Sequence, residues 1–336
     1  MSQPPRGSQT TLWHDSARLR GNPLGDPHLR EVVILHPPGL HPSAPCPAAL
    51  ALAGFTGGIF SFLNRRWREE SLPERLDRLV HAGMPPLRIV IPDPLTRLGG
   101  GQFLDSVGTG DYGSWLVEEL MPAVEAQHPT AETGPPRWGV FGKSSGGYGA
   151  LMLPTLFPGR FLAAAAHSPD AAFDVAYPPD FPSAVEAIRD AGGVAGWLAT
   201  FEAGSGMKGP DHAVLNLLGM SLAYSPEPGA TPLPCVLPVD LETGELVPEV
   251  FERWLDHDPA RAMPRRPEGA RALKMLWLDA GRRDEFRLHV GARRVRRALD
   301  PLGVALRYSE HNGGHFTLND RLDQSLPALA RALWEG

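Results

Sequence analysis

The chain reads as an α/β protein with a mostly parallel, eight-stranded sheet flanked by helices and an inserted, cap-like segment. Three observations predict this. Short apolar runs bounded by Pro, Gly and Asp recur along the 336 residues. Helix-length amphipathic segments lie between several of them, the alternation that builds a parallel sheet covered on both faces. One interval of about a hundred residues, 169–271, breaks that rhythm and is far longer than an ordinary connection.

In chain order, residues 11–18 are expected to add an antiparallel edge strand. Core strands follow at residues 31–36, 48–53, 87–92, 138–142, 161–167, 273–279 and 305–309, each a short apolar run between turn formers. Helices are expected at residues 72–82, 112–128, 147–157 and 289–302. Residues 1–336 form a single domain in this reading, with residues 169–271 inserted into it. That insertion holds helix candidates at residues 183–201 and 213–224. It also holds a hairpin pairing residues 236–239 with 245–247 across an Asp-Leu-Glu-Thr-Gly turn. Loops at the carboxyl ends of parallel strands carry the ligands in such sheets, so the insertion is expected to shape a substrate pocket.

Composition narrows the function classes. The net charge is −6, from 32 Lys and Arg against 38 Asp and Glu, and no basic stripe exists for nucleic acid. Gly (37) and Pro (36) are frequent without any repeat period, which implies ordered loops rather than a solenoid. Cys46 and Cys235, the two cysteines, form neither a disulfide framework nor a CxxC metal motif. The first ten residues are polar and no apolar run is long enough to span a bilayer, so the expectation is a cytoplasmic protein without a membrane partner. Nothing in the pattern sets the oligomeric state; a homodimer is compatible with it.

The chemistry starts at Gly142-Lys143-Ser144-Ser145-Gly146. This GxSxG follows the apolar run Trp138-Gly139-Val140-Phe141 and precedes the helix-prone Tyr148-Gly149-Ala150-Leu151. A serine in a sharp strand-to-helix turn presents its hydroxyl at the sheet edge, and flanking glycines let the two backbones pass closely. Serine needs a base to take its proton, and the base needs an acid to orient it. Downstream, the strand at 273–279 runs into Gly281-Arg282-Arg283-Asp284-Glu285, and the strand at 305–309 into His311-Asn312-Gly313-Gly314-His315.

Asp284 is chosen as the acid because it lies a few residues beyond its strand, where a loop can carry it to the histidine. Asp279, at the strand end, is the main rival, and Asp170 after residues 161–167 is another; Glu285 is expected to point elsewhere. His315 is chosen over His311 because the Gly pair before it permits a tight loop. His311 and His315 have the i, i+4 spacing of a helical metal site, but two glycines between them argue against a helix, and no metal is expected.

The oxyanion requires backbone donors in place before reaction. The amides of Ser145, directly after the nucleophile, and Phe55, in Gly54-Phe55-Thr56-Gly57-Gly58 after the strand at 48–53, are the candidates. Gly99-Gly100-Gly101 resembles a phosphate loop but lacks the Lys-Ser/Thr of one and reads as an ordinary mobile loop. Lys143 is expected to point into loops or solvent. Trp197, Tyr224 and Trp254, with Phe201 and Met220, are candidates to line an apolar acyl or aryl pocket, packing within the insertion being the competing use of these side chains.

Four stretches carry a family likeness: Leu52-Ala53-Gly54-Phe55-Thr56-Gly57, the elbow through Leu151, Asp279-Ala280-Gly281-Arg282-Arg283-Asp284-Glu285-Phe286, and Gly313-Gly314-His315. With Leu19-Arg20-Gly21-Asn22-Pro23 and Glu118-Glu119-Leu120-Met121-Pro122 they span most of the chain outside the insertion. On these residues the chain resembles the esterase family of the α/β-hydrolase superfamily that includes esterase D (S-formylglutathione hydrolase), enterochelin-esterase-like proteins and feruloyl esterases. The resemblance implies a serine carboxylesterase acting on a small-molecule ester with Ser144, Asp284 and His315, the Phe55 and Ser145 amides as oxyanion donors, and no cofactor. Two departures concern substrate. Ser145 stands where esterase D relatives usually carry Met, and the long insertion is unlike their compact form, so glutathione thioesters are not the expected substrates. Acyl transfer to an alcohol with the same residues, and a noncatalytic binding module on the same fold, are the alternative readings.

Overall fold

The computed structural model describes residues 5–65, 67–317 and 319–335. Its centre is an eight-stranded sheet of β1 (Ser8–Asp15), β2 (Leu29–His36), β3 (Ala48–Leu52), β4 (Arg88–Pro92), β5 (Trp138–Ser144), β6 (Ala163–Pro169), β7 (Met275–Gly281) and β8 (Leu306–His311). The spatial order is β1-β2-β4-β3-β5-β6-β7-β8. β1 pairs antiparallel with β2 and β2 with β4, and every later pairing is parallel. Each expected strand is present, with ends displaced by a few residues at most.

The central strands are apolar throughout because helices cover both faces. In β3, Ala48, Leu50 and Leu52 enter one core cluster while Ala49 and Ala51 enter the other, the period of two that a doubly covered strand requires. In β6, Ala164 and Ala166 face the first cluster and Ala163 and Ala165 the second. Their small side chains let helices approach closely.

Among the described residues the helices of nine residues or more are α1 (Leu72–His81), the continuous helical stretch α2 over residues 112–127, α3 (Ser145–Leu156), α4 (Phe181–Asp190), α5 (Val194–Glu202), α6 (Asp211–Tyr224), α7 (Pro248–Asp256), α8 (Leu288–Leu299) and α9 (Leu322–Trp334). Within α2 the turn Trp115–Leu120 is π-helical. Pro122 explains this, since its ring would press on the carbonyl of residue 118 in a regular helix. α2 is fastened to the segment after β1, where Ser16 donates to Glu119 at 2.6 Å.

The structure departs from expectation in three places. The helix expected at residues 183–201 is two helices, α4 and α5, because Gly192 and Gly193 take φ of +79° and +102°. The expected hairpin at 236–247 is reduced to one bridge, Val239 with Leu246. Pro238 lacks the amide a ladder needs, and Asp240 Oδ1 instead gathers the Glu242 and Thr243 amides into a turn. Helix α9, unassigned in the sequence reading, closes the second face of the sheet with Leu326, Leu329 and Leu333.

At the amino ends of β3 and β5, far from the loops that carry the candidate chemistry, Arg88 is fully buried. Its guanidinium donates to the carbonyls of Pro42, Ala44, Cys46, His128 and Pro129. Its Nε donates to His36 Nδ1 at 3.3 Å, which leaves the His36 Nε2 proton for Thr10 Oγ1 at 3.0 Å. Burial, with the neighbouring His128 and Arg88, lowers the His36 pKa to about 4. The unfolded chain therefore binds a proton that the folded chain refuses between pH ~6.5 and ~4. Stability is expected to fall as pH drops through that window. Denaturant midpoints measured across it should decline for the wild type and less steeply for His36→Gln.

Candidate active site

Strand β5 passes into α3 at Ser144, whose backbone sits at φ 59° and ψ −125°. A non-glycine residue held there costs about 1–3 kcal/mol, and the surrounding close packing holds it. A Cβ on Gly146 would lie 2.0 Å from the Leu52 carbonyl oxygen, and one on Gly142 would lie 2.3 Å from the Gly146 carbonyl oxygen. Strand β3, strand β5 and the first turn of α3 thus touch backbone to backbone, which only glycine permits.

The loop after β7 and the short 3₁₀ turn after β8 meet beside this elbow. His315 Nδ1 lies 2.8 Å from Asp284 Oδ2, with both side chains almost wholly buried. Asp284 Oδ1 accepts the amides of Phe286 and Leu288, which fixes the carboxylate plane. Burial pushes its pKa up, but the hydrogen bond and charge of His315 outweigh this and hold it below the ordinary value. Glu285, expected to point elsewhere, accepts the His315 amide at 2.6 Å and so braces the turn that presents the ring. His311 is half-buried, and its Nδ1 accepts the Gly313 amide, a brace within the same loop.

Asp279 is occupied otherwise. Its carboxylate, buried in β7, takes His167 at 2.7 Å, Trp277 Nε1 at 2.8 Å and Arg321 Nε at 2.9 Å. Burial opposes its ionisation, yet His167 and these donors bring its pKa down to about 2. His167 Nε2 lies 3.0 Å from Ser325 Oγ on α9. That second serine is fully buried, and the arrangement binds α9 to the sheet.

Asp170 follows β6 directly and faces the elbow. Its Oδ2 accepts the Ser145 hydroxyl at 2.7 Å, and its Oδ1 lies 3.3 Å from Ser144 Oγ. Gln102 Nε2 donates to Ser145 Oγ at 3.1 Å, and Tyr224 donates to Gln102 Oε1 at 3.2 Å. Among the described residues the Ser144 hydroxyl is hydrogen-bonded to Asp170 and not to His315. From sequence, Asp170 is a candidate only as the partner of the histidine and nothing marks Gln102, whose φ of +55° sequence does not announce.

Ser144, His315, Asp170 and the loop 54–57 line one cleft of about 530 Å³. The Ser145 amide heads α3, where first-turn amides have no partner within the helix. The loop carrying Phe55 abuts Ser144: a Cβ on Gly54 would sit 3.6 Å from Ser144 Cβ. Gly99-Gly100-Gly101 supports this loop. The Gly100 amide donates to the Phe55 carbonyl at 2.7 Å, and a Cβ on Gly99, at φ +105°, would strike the Phe55 ring. Lys143 also lines the cleft, with its ammonium 5.3 Å from the centre of the Phe316 ring.

Trp197, Tyr224 and Trp254 do not line the cleft, which corrects the expectation for them. Trp197 stacks on Phe201 at 4.8 Å, and Tyr224 and Trp254 pack against each other and against Tyr177 or Phe173. Tyr224 also reaches Tyr148 of α3 at 5.9 Å, while Trp197 and Trp254 pack among residues 169–271 themselves. The insertion reaches the cleft instead through His212 and Asn216, one turn apart on α6, and through Tyr177. Among the described residues no group of three or more His, Cys, Asp or Glu could hold a metal, and no helix is long and apolar enough to cross a membrane.

A sheet of this order, with a strained serine after its fifth strand and loops from its last two strands converging on it, defines an α/β-hydrolase fold. The chain matches the family described as "Putative esterase" over residues 28–315 and belongs to it. Solved structures agree on the fold. A ferulic acid esterase superposes with a TM-score of 0.62 at 18% identity, covering 98% of this chain and 99% of that one. An S-formylglutathione hydrolase from Agrobacterium tumefaciens gives 0.57 at 18% identity, over 99% and 98% of the two chains. The enterobactin esterase FES from Shigella flexneri gives 0.54 at 17% identity, over 99% of this chain and 62% of that one. No curated protein matches the chain. Family and fold together support ester hydrolysis as the class of activity.

The elbow geometry makes a direct forecast. Gly146→Ala should destabilise the fold by ~3 kcal/mol or more, because the methyl group meets backbone that cannot move aside. Urea denaturation of the variant, or loss of soluble folded protein, checks it.

Proposed function

We propose that the chain is a serine carboxylesterase that hydrolyses small-molecule carboxylic esters through an acyl-Ser144 intermediate. The observation that carries this reading is the convergence, on one cleft, of a serine at φ 59° and a His315–Asp284 pair at 2.8 Å. The Ser144 hydroxyl makes no hydrogen bond to His315 in the free protein, and in this reading that bond forms as substrate enters, a tightening usual for catalytic hydrogen bonds.

His315 Nε2 takes the serine proton while Oγ forms its bond to the ester carbonyl carbon. Asp284 holds the Nδ1 proton and stabilises the imidazolium. In this reading the carbonyl oxygen, now carrying charge, accepts from the Phe55 and Ser145 amides, donors that cost little reorganisation when already in place. His315 returns its proton to the departing alcohol. Water then repeats the cycle, giving its proton to His315 and its oxygen to the acyl carbon, and Ser144 leaves with the proton restored. In this reading every step uses side chains and amides of the chain itself, and no cofactor is invoked.

Hydrolysis of a p-nitrophenyl ester series from acetate to palmitate tests the reading. Ser144→Ala is expected to lower turnover ~10⁴-fold or more while leaving the melting transition in place. Turnover retained in that variant would dismiss the assignment. A clear optimum in acyl length would size the acyl side of the cleft.

A further inference from the structure

The proposed nucleophile lies beside a second carboxyl group, and the hydrogen bonds around that group settle which of its oxygens is free to act. Tyr224 donates to Gln102 Oε1, so the Gln102 amide nitrogen is the end that meets Ser145 Oγ. Ser145 Oγ therefore accepts from Gln102 and spends its own proton on Asp170 Oδ2 at 2.7 Å. The Tyr177 hydroxyl lies 3.5 Å from the same oxygen. Asp170 Oδ2 is committed as an acceptor. Asp170 Oδ1 has Ser144 Oγ at 3.3 Å, and one proton decides the direction of that contact.

Two arrangements fit that 3.3 Å contact. An ionised Asp170 accepts the Ser144 proton, which then cannot lie on His315. A neutral Asp170 donates to Ser144 Oγ, and the serine proton is left for His315. We propose that Asp170 is a further catalytic residue that works as a neutral carboxylic acid, its Oδ1 proton donated to Ser144 Oγ, and that its ionised form withholds the serine proton from His315. The proposal rests on the serine esterase reading.

The proton count is the same at each stage. In acylation the serine proton moves to His315 and on to the leaving alcohol, while the Oδ1 proton stays on Asp170 and points at what has become the ester oxygen. In deacylation the bond from Ser144 Oγ to the acyl carbon breaks. Asp170 then donates to the oxygen on which charge accumulates until His315 delivers its proton. Asp170 never gives up its own. An ionised Asp170 would instead lose its donor on acylation, since an acylated serine has no proton to offer, and would stand as a buried charge facing the intermediate.

The surroundings favour the neutral form. Asp170 is 6% exposed, and burial raises its pKa. Around it stand Ser144 and Ser145 at the start of α3, Tyr148 one turn further along it, Tyr177 from the segment after β6, and Tyr224 of α6 behind Gln102. His315 favours ionisation of Asp170 across the cleft, and the Asp284 charge beyond it opposes it. A buried carboxylic acid kept neutral so that it can donate is an established catalytic device. The sign is explicit: the active form is protonated, so activity falls as pH rises through the Asp170 pKa.

The test is the rate of fluorophosphonate labelling of Ser144, followed from about pH 5 to 10 in the wild type, Asp170→Asn and Asp170→Ala, with melting curves to confirm folding. Labelling reads serine activation without knowledge of the substrate. The wild type should lose reactivity on the alkaline side. Asp170→Asn, an uncharged donor, should lack that alkaline limb and exceed the wild type at high pH. Asp170→Ala should be slower than Asp170→Asn by ~10²-fold on the acid side, the usual cost of a lost active-site donor. An alkaline limb that persists in Asp170→Asn, a wild-type profile with none, or an Asp170→Asn variant as slow as Asp170→Ala would each overturn the proposal. No labelling of the wild type, or labelling that survives Ser144→Ala, would instead remove the nucleophile itself and with it the esterase reading.

Discussion

The structure turns on one strained residue. Ser144 holds φ 59° and ψ −125° because β3, β5 and the start of α3 meet there without an intervening side chain. The turn points the serine out of the sheet edge and aims the Ser145 amide along the axis of α3. It also sets where the loops after β7 and β8 must end. A fold-wide core pays for this strain: the central strands are buried on both faces, and α3 is buried along nearly its whole length. Displacing the elbow by one residue would turn the hydroxyl into the sheet.

Around the elbow, two buried polar networks divide the labour. Asp279, His167, Arg321 and Ser325 tie the last helix and the segment behind His315 to the sheet, with Arg321 also reaching Ser309 of β8. Asp170, Ser145, Gln102 and Tyr224 tie the turn at Ser144 to α6. A half-satisfied network of this kind would be costly in a dry interior, so its members are held in single orientations. Residues 211–224 are thereby coupled to the turn at Ser144 through hydrogen bonds as well as through packing.

Much of this was legible in the sequence because it depends on local rules. The GxSxG turn, the Gly pair before His315 and the apolar runs each carry their own short-range signal, and the strands stand where those runs stand. The insertion was harder. Gly192-Gly193 splits a periodic stretch that reads as one helix, and Pro238 cancels a hairpin that alternation alone suggests. Aromatic rings at helical spacing read equally as pocket or as packing, and Trp197, Tyr224 and Trp254 turned out to pack. Asp170, Gln102, His212 and Asn216 gain their meaning only in three dimensions. Gln102 meets a serine 43 positions away and a tyrosine 122 positions away, separations over which no sequence period operates.

The central claim is that an acyl group passes through Ser144. Brief exposure to p-nitrophenyl butyrate, an acid quench and peptide mass spectrometry would read this directly. A butyryl adduct is expected on the peptide that contains Ser144, present at the quench and lost on longer incubation as water releases the acid. Continued release of p-nitrophenol with no adduct on that peptide, or with the adduct on another residue, would contradict it.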